Sequence, residues 1–160
     1  MNAPESAALP HPGTATWVLL QWDDHRIALP SADVERIEQA GGLRAALPRE
    51  AAAAWLADGD RPIPVYRLGE GLRPGSWSGT TGFVLIGQHE NANWGLWGDG
   101  VRILAADEQP RGTTWPAVFA RRRPPIEGIG LLVDGLPVMI SRAALIGPWL
   151  AAHWARGGKP

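Results

Sequence analysis

The sequence predicts a mainly β protein built from two similar β units, with a short helix near 48–57 and a C-terminal helix. Three observations predict it. Short runs rich in Val, Leu, Ile and Trp alternate with polar or glycine-containing turns. One strand–turn–strand pattern occurs twice, as WVLLQWDDHRIALPSADVERI from Trp17 and FVLIGQHENANWGLWGDGVRI from Phe83. Each copy is followed by a Pro-Val pair inside an apolar run, in RPIPVYRL and in DGLPVMISRAAL. A repeated small β unit points to two open barrels or one larger sandwich.

The elements follow in order. Residues 1–15, rich in Pro, Ala, Ser and Thr, read as a disordered lead-in without the basic and apolar regions of a secretory signal. WVLLQW and IALP form a hairpin that turns near Asp23-Asp24. SADVERIEQ is a short helical turn or another strand. The alanine-rich stretch after Pro48 suggests a helix over 48–57, with proline at its start and Asp58-Gly59 at its end. RPIPVYRL reads as a strand, and its Pro62 and Pro64 suggest an edge position because each lacks a backbone donor. LGEGLRPGSWSGTTG is a loop by composition, after which GFVLIG, the turn QHENAN and WGLWG repeat the first hairpin. ADEQPRGTTWPAVFARRRPPIEG, rich in Pro and Arg, reads as a long outer connection. SRAALIGPWLAAHWARGGKP is helical by pattern, with Leu145, Trp149, Leu150 and Trp154 spaced to share a face. Pro148 starts a second helix or kinks the first, and 157–160 should fray. The folded region is read as one domain over 16–156, made of two β subdomains.

Composition narrows the function. The chain has 160 residues, 15 basic and 16 acidic, for a net charge of -1. That balance argues against a nucleic-acid binder. The absence of cysteine removes disulfides, zinc-thiolate sites and thiol nucleophiles, and fits a reducing cytoplasm. No apolar run reaches the roughly 18 residues a membrane span needs. His11, His25, His89 and His153 have no metal-ligand spacing. GSWSG at 75–79 lacks the spacing of a nucleophile elbow, and GLWGDG lacks the lysine of a phosphate loop. The paired acids Asp23-Asp24 and Asp58-Gly59-Asp60 suit turns. ARRRPP at 120–125 suits a solvated loop or an acidic partner. No catalytic constellation, cofactor motif or metal motif emerges, which favours a binding or scaffold role over an enzyme. Nine tryptophans are unusual in a chain this size, and core filling is their ordinary use.

In segment order the chain resembles the CheW-like domain, the coupling module of bacterial chemosensory arrays. The resemblance rests on four stretches in sequence: WVLLQWDDHRIALPSADVERI, IPVYRL, WGLWGDGVRIL and GIGLLVDGLPVMISRAALI. It covers about 17–147. It implies two small SH3-like β-barrels packed together, no catalytic activity, and an adaptor that bridges a chemoreceptor's cytoplasmic tip and the regulatory domain of a CheA-type histidine kinase. One departure is plain. The family's Asn-Leu-Arg-Gly before the Pro-Val strand is replaced here by AAAAWLADGDRPIPV.

Carried over residue by residue, the resemblance places Val34 and Ile37 on the segment that lines the family's receptor-facing groove. Arg36 lies between them, where the family often has an acid. Asp99 and Val101 match the Asp and Val beside the same groove. Core packing is the ordinary alternative for Val34, Ile37 and Val101, and a turn role is the alternative for Asp99. Trp94 and Trp97 complete the expected partner-binding set, as anchors if exposed. A different class of function, a tryptophan-rich β module that stacks a carbohydrate or other small ligand, would instead require a row of exposed coplanar tryptophans.

Overall fold

The computed structural model describes residues 16–75, 79, 81–114 and 125–155. The lead-in over 1–15, the tail over 157–160, most of GSWSG and the arginine run at 121–123 lie outside the described residues.

The first hairpin pairs β1 (Trp17–Trp22) with β2 (His25–Pro30) around Asp23, whose φ is 46°. A 3-10 turn over Ser31–Asp33 leads into β3 (Val34–Gln39), so the stretch read as turn or strand is both. Then come β4 (Leu43–Ala45), β5 (Ala54–Leu56) and β6 (Ile63–Tyr66). The second hairpin joins β7 (Phe83–His89) to β8 (Ala92–Gly98) through Glu90 and Asn91, at φ 49° and 63°. Consecutive positive φ values mark a tight turn whose twist matches the flanking strands. β9 (Gly100–Leu104), β10 (Arg111–Thr114), β11 (Gly128–Leu131), β12 (Pro137–Ile140) and the helix α1 (Ala143–Ala155) complete the chain.

These strands form two six-stranded sheets, ordered β10-β11-β12-β2-β1-β9 and β4-β5-β6-β8-β7-β3. The two orders are the same arrangement. In each, a hairpin pairs in parallel with the Pro-Val strand, β12 beside β2 and β6 beside β8. The third strand of each repeat crosses over: β3 pairs with β7 of the second hairpin, and β9 with β1 of the first. Each sheet therefore draws on both ends of the sequence. One core cluster runs through both sheets, from Leu20, Trp22, Ile27 and Leu29 to Leu85, Ile86 and Leu96. A smaller cluster of Leu19, Ala28, Leu104, Leu132 and Val138 fills the opposite face of the first sheet.

Three sequence expectations are corrected. The stretch 48–57 is not a helix. Pro48 and Arg49 form a turn and the end of the run is β5, paired with both β4 and β6. Exposure along it has a period of two: Ala52, Ala54 and Leu56 are buried, while Ala53 and Trp55 are half-buried. Pairing within a sheet has overridden alanine's helix propensity. β6 is also interior, not an edge strand. Its parallel ladder to β8 begins at Val65, one residue past Pro64, so the missing donor falls outside it. In α1, finally, the buried face is Ala143, Ile146, Leu150 and Trp154, whereas Leu145 is 40% exposed. The helix runs unbroken through the exposed Pro148. Gly147 precedes it, so the usual clash of a proline ring with the preceding Cβ is absent. The N-terminus of α1 is capped from the first repeat: the Ala143 N–H donates to Asp33 Oδ2 at 2.9 Å.

Candidate functional site

Val34, Arg36 and Ile37 lie on β3, the edge of one sheet, and Val101 on β9, the edge of the other. β7 is hydrogen-bonded to β3 and also touches β9. A spacing of three puts residues on opposite faces of a regular strand. Here a β-bulge between Val34 and Arg36 absorbs the extra residue. Val34 consequently sits opposite Gly87 and Ile37 opposite Leu85, so both side chains leave the same face. Val34, Ile37 and Val101 are all half-buried against the same core cluster. Two residues beyond Val101, on the same face of β9, Ile103 is 62% exposed. Sequence reasoning did not single out Ile103, although the Val-Arg-Ile alternation carries the signal. Val34, Ile37 and Val101 are thus edge-strand positions where the core reaches solvent, and Ile103 is an exposed aliphatic side chain on β9.

Arg36 takes the other face, opposite Ile86. Its guanidinium meets three carboxylates: Glu38 at 2.8 Å, Asp58 at 3.0 Å and Glu35 at 3.3 Å. The Glu38 hydrogen bond is the largest cause that raises the Arg36 pKa above its ordinary value. The cluster is net negative despite its central cation. Beside Asp58 opens a cleft of about 690 Å³ walled by Asp60, Arg61, Pro62, Pro64 and Asn93. Asp58 and Asp60 are its two acids and Arg61 its one base.

Trp94 and Trp97 are not surface anchors. They are 4% and 5% exposed and belong to the core. The physical reason is the glycine frame around them. A Cβ at Gly87 or at Gly147 would collide with the Trp94 ring, so β7 and α1 close on the indole from two sides. Trp97 fits against Gly82, donates Nε1–H to the Thr81 carbonyl at 3.0 Å, and carries the Arg67 guanidinium over its ring at 4.7 Å. Asp99 is exposed but holds the first hairpin in place. Its N–H donates to Gln21 O at 2.7 Å, and its Oδ2 accepts from the Asp23 N–H at 3.0 Å.

His25 stacks on Trp22 at 5.6 Å and His89 lies 3.7 Å from Glu90. Among the described residues no group of three His, Asp or Glu is placed to hold a metal ion. None of their helices is long and apolar enough to cross a membrane. Of the nine tryptophans, Trp77 and Trp115 lie outside the described residues, and none of the other seven is exposed. The described residues therefore contain no stacking platform of the kind a carbohydrate module needs.

No family model matches this chain, and neither does any curated protein. Solved structures do match. One is the scaffolding protein TtCheW from Thermoanaerobacter tengcongensis, with a TM-score of 0.55 and 16% identity over 82% of this chain and 91% of that one. Two sheets in one repeated strand order, a strand exchanged between them and a C-terminal helix give this chain a CheW-like fold, divergent in sequence.

Proposed function

We propose that this protein is a non-enzymatic, cytoplasmic adaptor in a bacterial chemosensory complex, bridging a chemoreceptor's helical tip and the regulatory domain of a CheA-type histidine kinase. The observation that carries the reading is the bulge in β3, which turns Val34 and Ile37 to one face at the edge of one sheet of a CheW-like fold, while Val101 and the exposed Ile103 lie on β9 at the edge of the other. Half-buried aliphatic side chains at a sheet edge are a surface on which a helix gains affinity by completing the burial. In this reading Arg36, ringed by carboxylates on the other face of β3, and Asp99, tied to the first hairpin, are the polar members of the partner-binding set. No other function draws support from a described tryptophan platform or metal cluster.

The test is binding of the purified chain to a receptor cytoplasmic fragment and to a CheA-type regulatory domain, by calorimetry. Ile103→Asp places a charge on an exposed position, so the fold should survive. We expect it to weaken receptor binding about tenfold or more, a loss of about 1.4 kcal/mol, with an unchanged melting curve. If the unaltered chain binds neither partner, the adaptor reading fails. Binding that ignores Ile103→Asp would move the receptor site elsewhere.

A further inference from the structure

The outer face of β11 and β12 is apolar where an ordinary solvated sheet is polar. Cross-strand partners share a face, and the pairs here are Leu131 with Pro137 and Ile129 with Met139. Ile129 and Leu131 are 43% and 54% exposed, and Pro137 is exposed too. The inner face of the same strands is packed: Val138 and Ile140 are buried, and Gly112 and Gly130 lie against Ile140. A strand pair apolar on both faces expects cover on both. The row also continues a buried surface, because Met139 pairs with Ile27 of the main core cluster.

The other sheet shows what fits. By strand order, β5 and β6 correspond to β11 and β12, so Trp55, Pro64 and Tyr66 occupy the places of Leu131, Pro137 and Met139. There the row is covered. Trp154 of α1 packs on Tyr66 with ring centroids 4.9 Å apart, and Trp55 donates Nε1–H to Glu50 of the preceding loop at 3.0 Å. α1 follows β12 in sequence yet packs on β7, in the sheet opposite. Among the described residues the β11–β12 face has no helix of its own.

Charge gives the occupant its polarity. Arg111 pairs across from Leu131, is exposed, and has no ion pair among the described residues. Nearby cations are already matched: Arg26 by Asp134 at 3.3 Å and Arg102 by Glu108 at 2.6 Å. Arg111 and Leu131 also wall a cleft of about 360 Å³ whose lip, Val133, is 74% exposed.

We propose that the β11–β12 face seats an amphipathic helix of a partner protein, docked as α1 docks on the other sheet, with an acidic side chain set against Arg111. This surface is separate from the β3 and β9 edges, and the inference does not depend on the adaptor reading.

The experiment replaces Leu131 by a photoreactive benzophenone amino acid in the full-length chain, irradiates cells of the protein's native host, and maps the cross-linked peptide by mass spectrometry. The expected product joins residue 131 to another protein, within a segment of helical apolar spacing that has an Asp or Glu within one turn of the cross-link. Its yield should fall at least tenfold in Arg111→Glu and recover when that acid is changed to Arg. Cross-links to 1–15 or 115–124 of the same chain would show internal cover and overturn the proposal. So would cross-links to a second copy of the chain, to a non-helical segment, or to nothing.

Discussion

Glu50 ties together the loop before β5, beside the backbone hydrogen bonds from Ala46 to Ala53 and from Glu50 to Leu47. Its Oε2 accepts from the Leu47 N–H at 2.6 Å and from Trp55 Nε1 at 3.0 Å, and Arg44 lies 3.4 Å from its other oxygen. The Leu47 N–H, then the Arg44 and Trp55 hydrogen bonds, hold the Glu50 carboxyl below its ordinary pKa. A carboxyl depressed in the folded state stabilises the fold above the unfolded value, about 4.3, and that contribution disappears as pH falls through the lowered folded value. Glu50→Gln should therefore melt below the unaltered protein at pH 7, and the gap should narrow as pH falls below about 4.3. Thermal unfolding across that range checks it, and an equal gap at both ends would assign the effect to shape instead of charge. Glu108 repeats the device, held low first by the Ala105 N–H and then by Arg102. Neither acid was legible as a clamp in the sequence, because a carboxylate that reaches back three residues looks like any loop acid until the backbone turn is known.

At the scale of elements, sequence periodicity was informative where strands were long and misleading where composition spoke louder. The two hairpins, the Pro-Val strands and the C-terminal helix all follow from apolar runs set between turn residues. The alanines of 48–57 favour a helix, and only the strands on either side of β5 overrule them. The bulge in β3 was invisible for a related reason: V-x-x-I is helical spacing, and a strand uses it only by spending a residue. In sequence Trp94 and Trp97 have the look of anchors, because the glycines that enclose them come from β7, α1 and the loop before β7. That enclosure makes a prediction about how α1 docks. Gly147→Ala would drive a methyl into the Trp94 indole, and both ring and helix backbone are fixed. We expect a loss of about 1–3 kcal/mol. Gly42→Ala, where a Cβ meets nothing within 4 Å, should stay within about 0.5 kcal/mol. Urea titration of both variants checks the contrast, and equal losses would refute the Trp94 enclosure.

At the scale of the whole molecule, the repeat was legible in the chain but the exchange between its copies was not. WVLLQWDDHRIALPSADVERI announces a hairpin and a third strand, yet nothing in it says that the third strand belongs to the neighbouring sheet. Hydrophobic pattern fixes which face of a strand is buried and is silent about its partner. The exchange has a consequence for folding. Residues 1–78 carry β1 to β6, and residues 79–160 carry β7 to β12 with α1. Alone, the first piece has β3 to β6 without the hairpin that joins them, and β1 and β2 without β9 or β12. The second piece is short in the complementary way: β7 and β8 lack β3 and β6, and β9 and β12 lack β1 and β2. Each exposes edges and half-cores that the other completes, so neither buries enough apolar surface to offset its chain entropy. Separately expressed, the two pieces should show little cooperative unfolding by circular dichroism. Mixed or co-expressed, they should copurify at one to one and recover the cooperative melt of the intact chain. A piece that folds by itself would mean that its strands can re-pair locally, and the crossed pairing of β3 with β7 and β9 with β1 would then not be what holds the two sheets together.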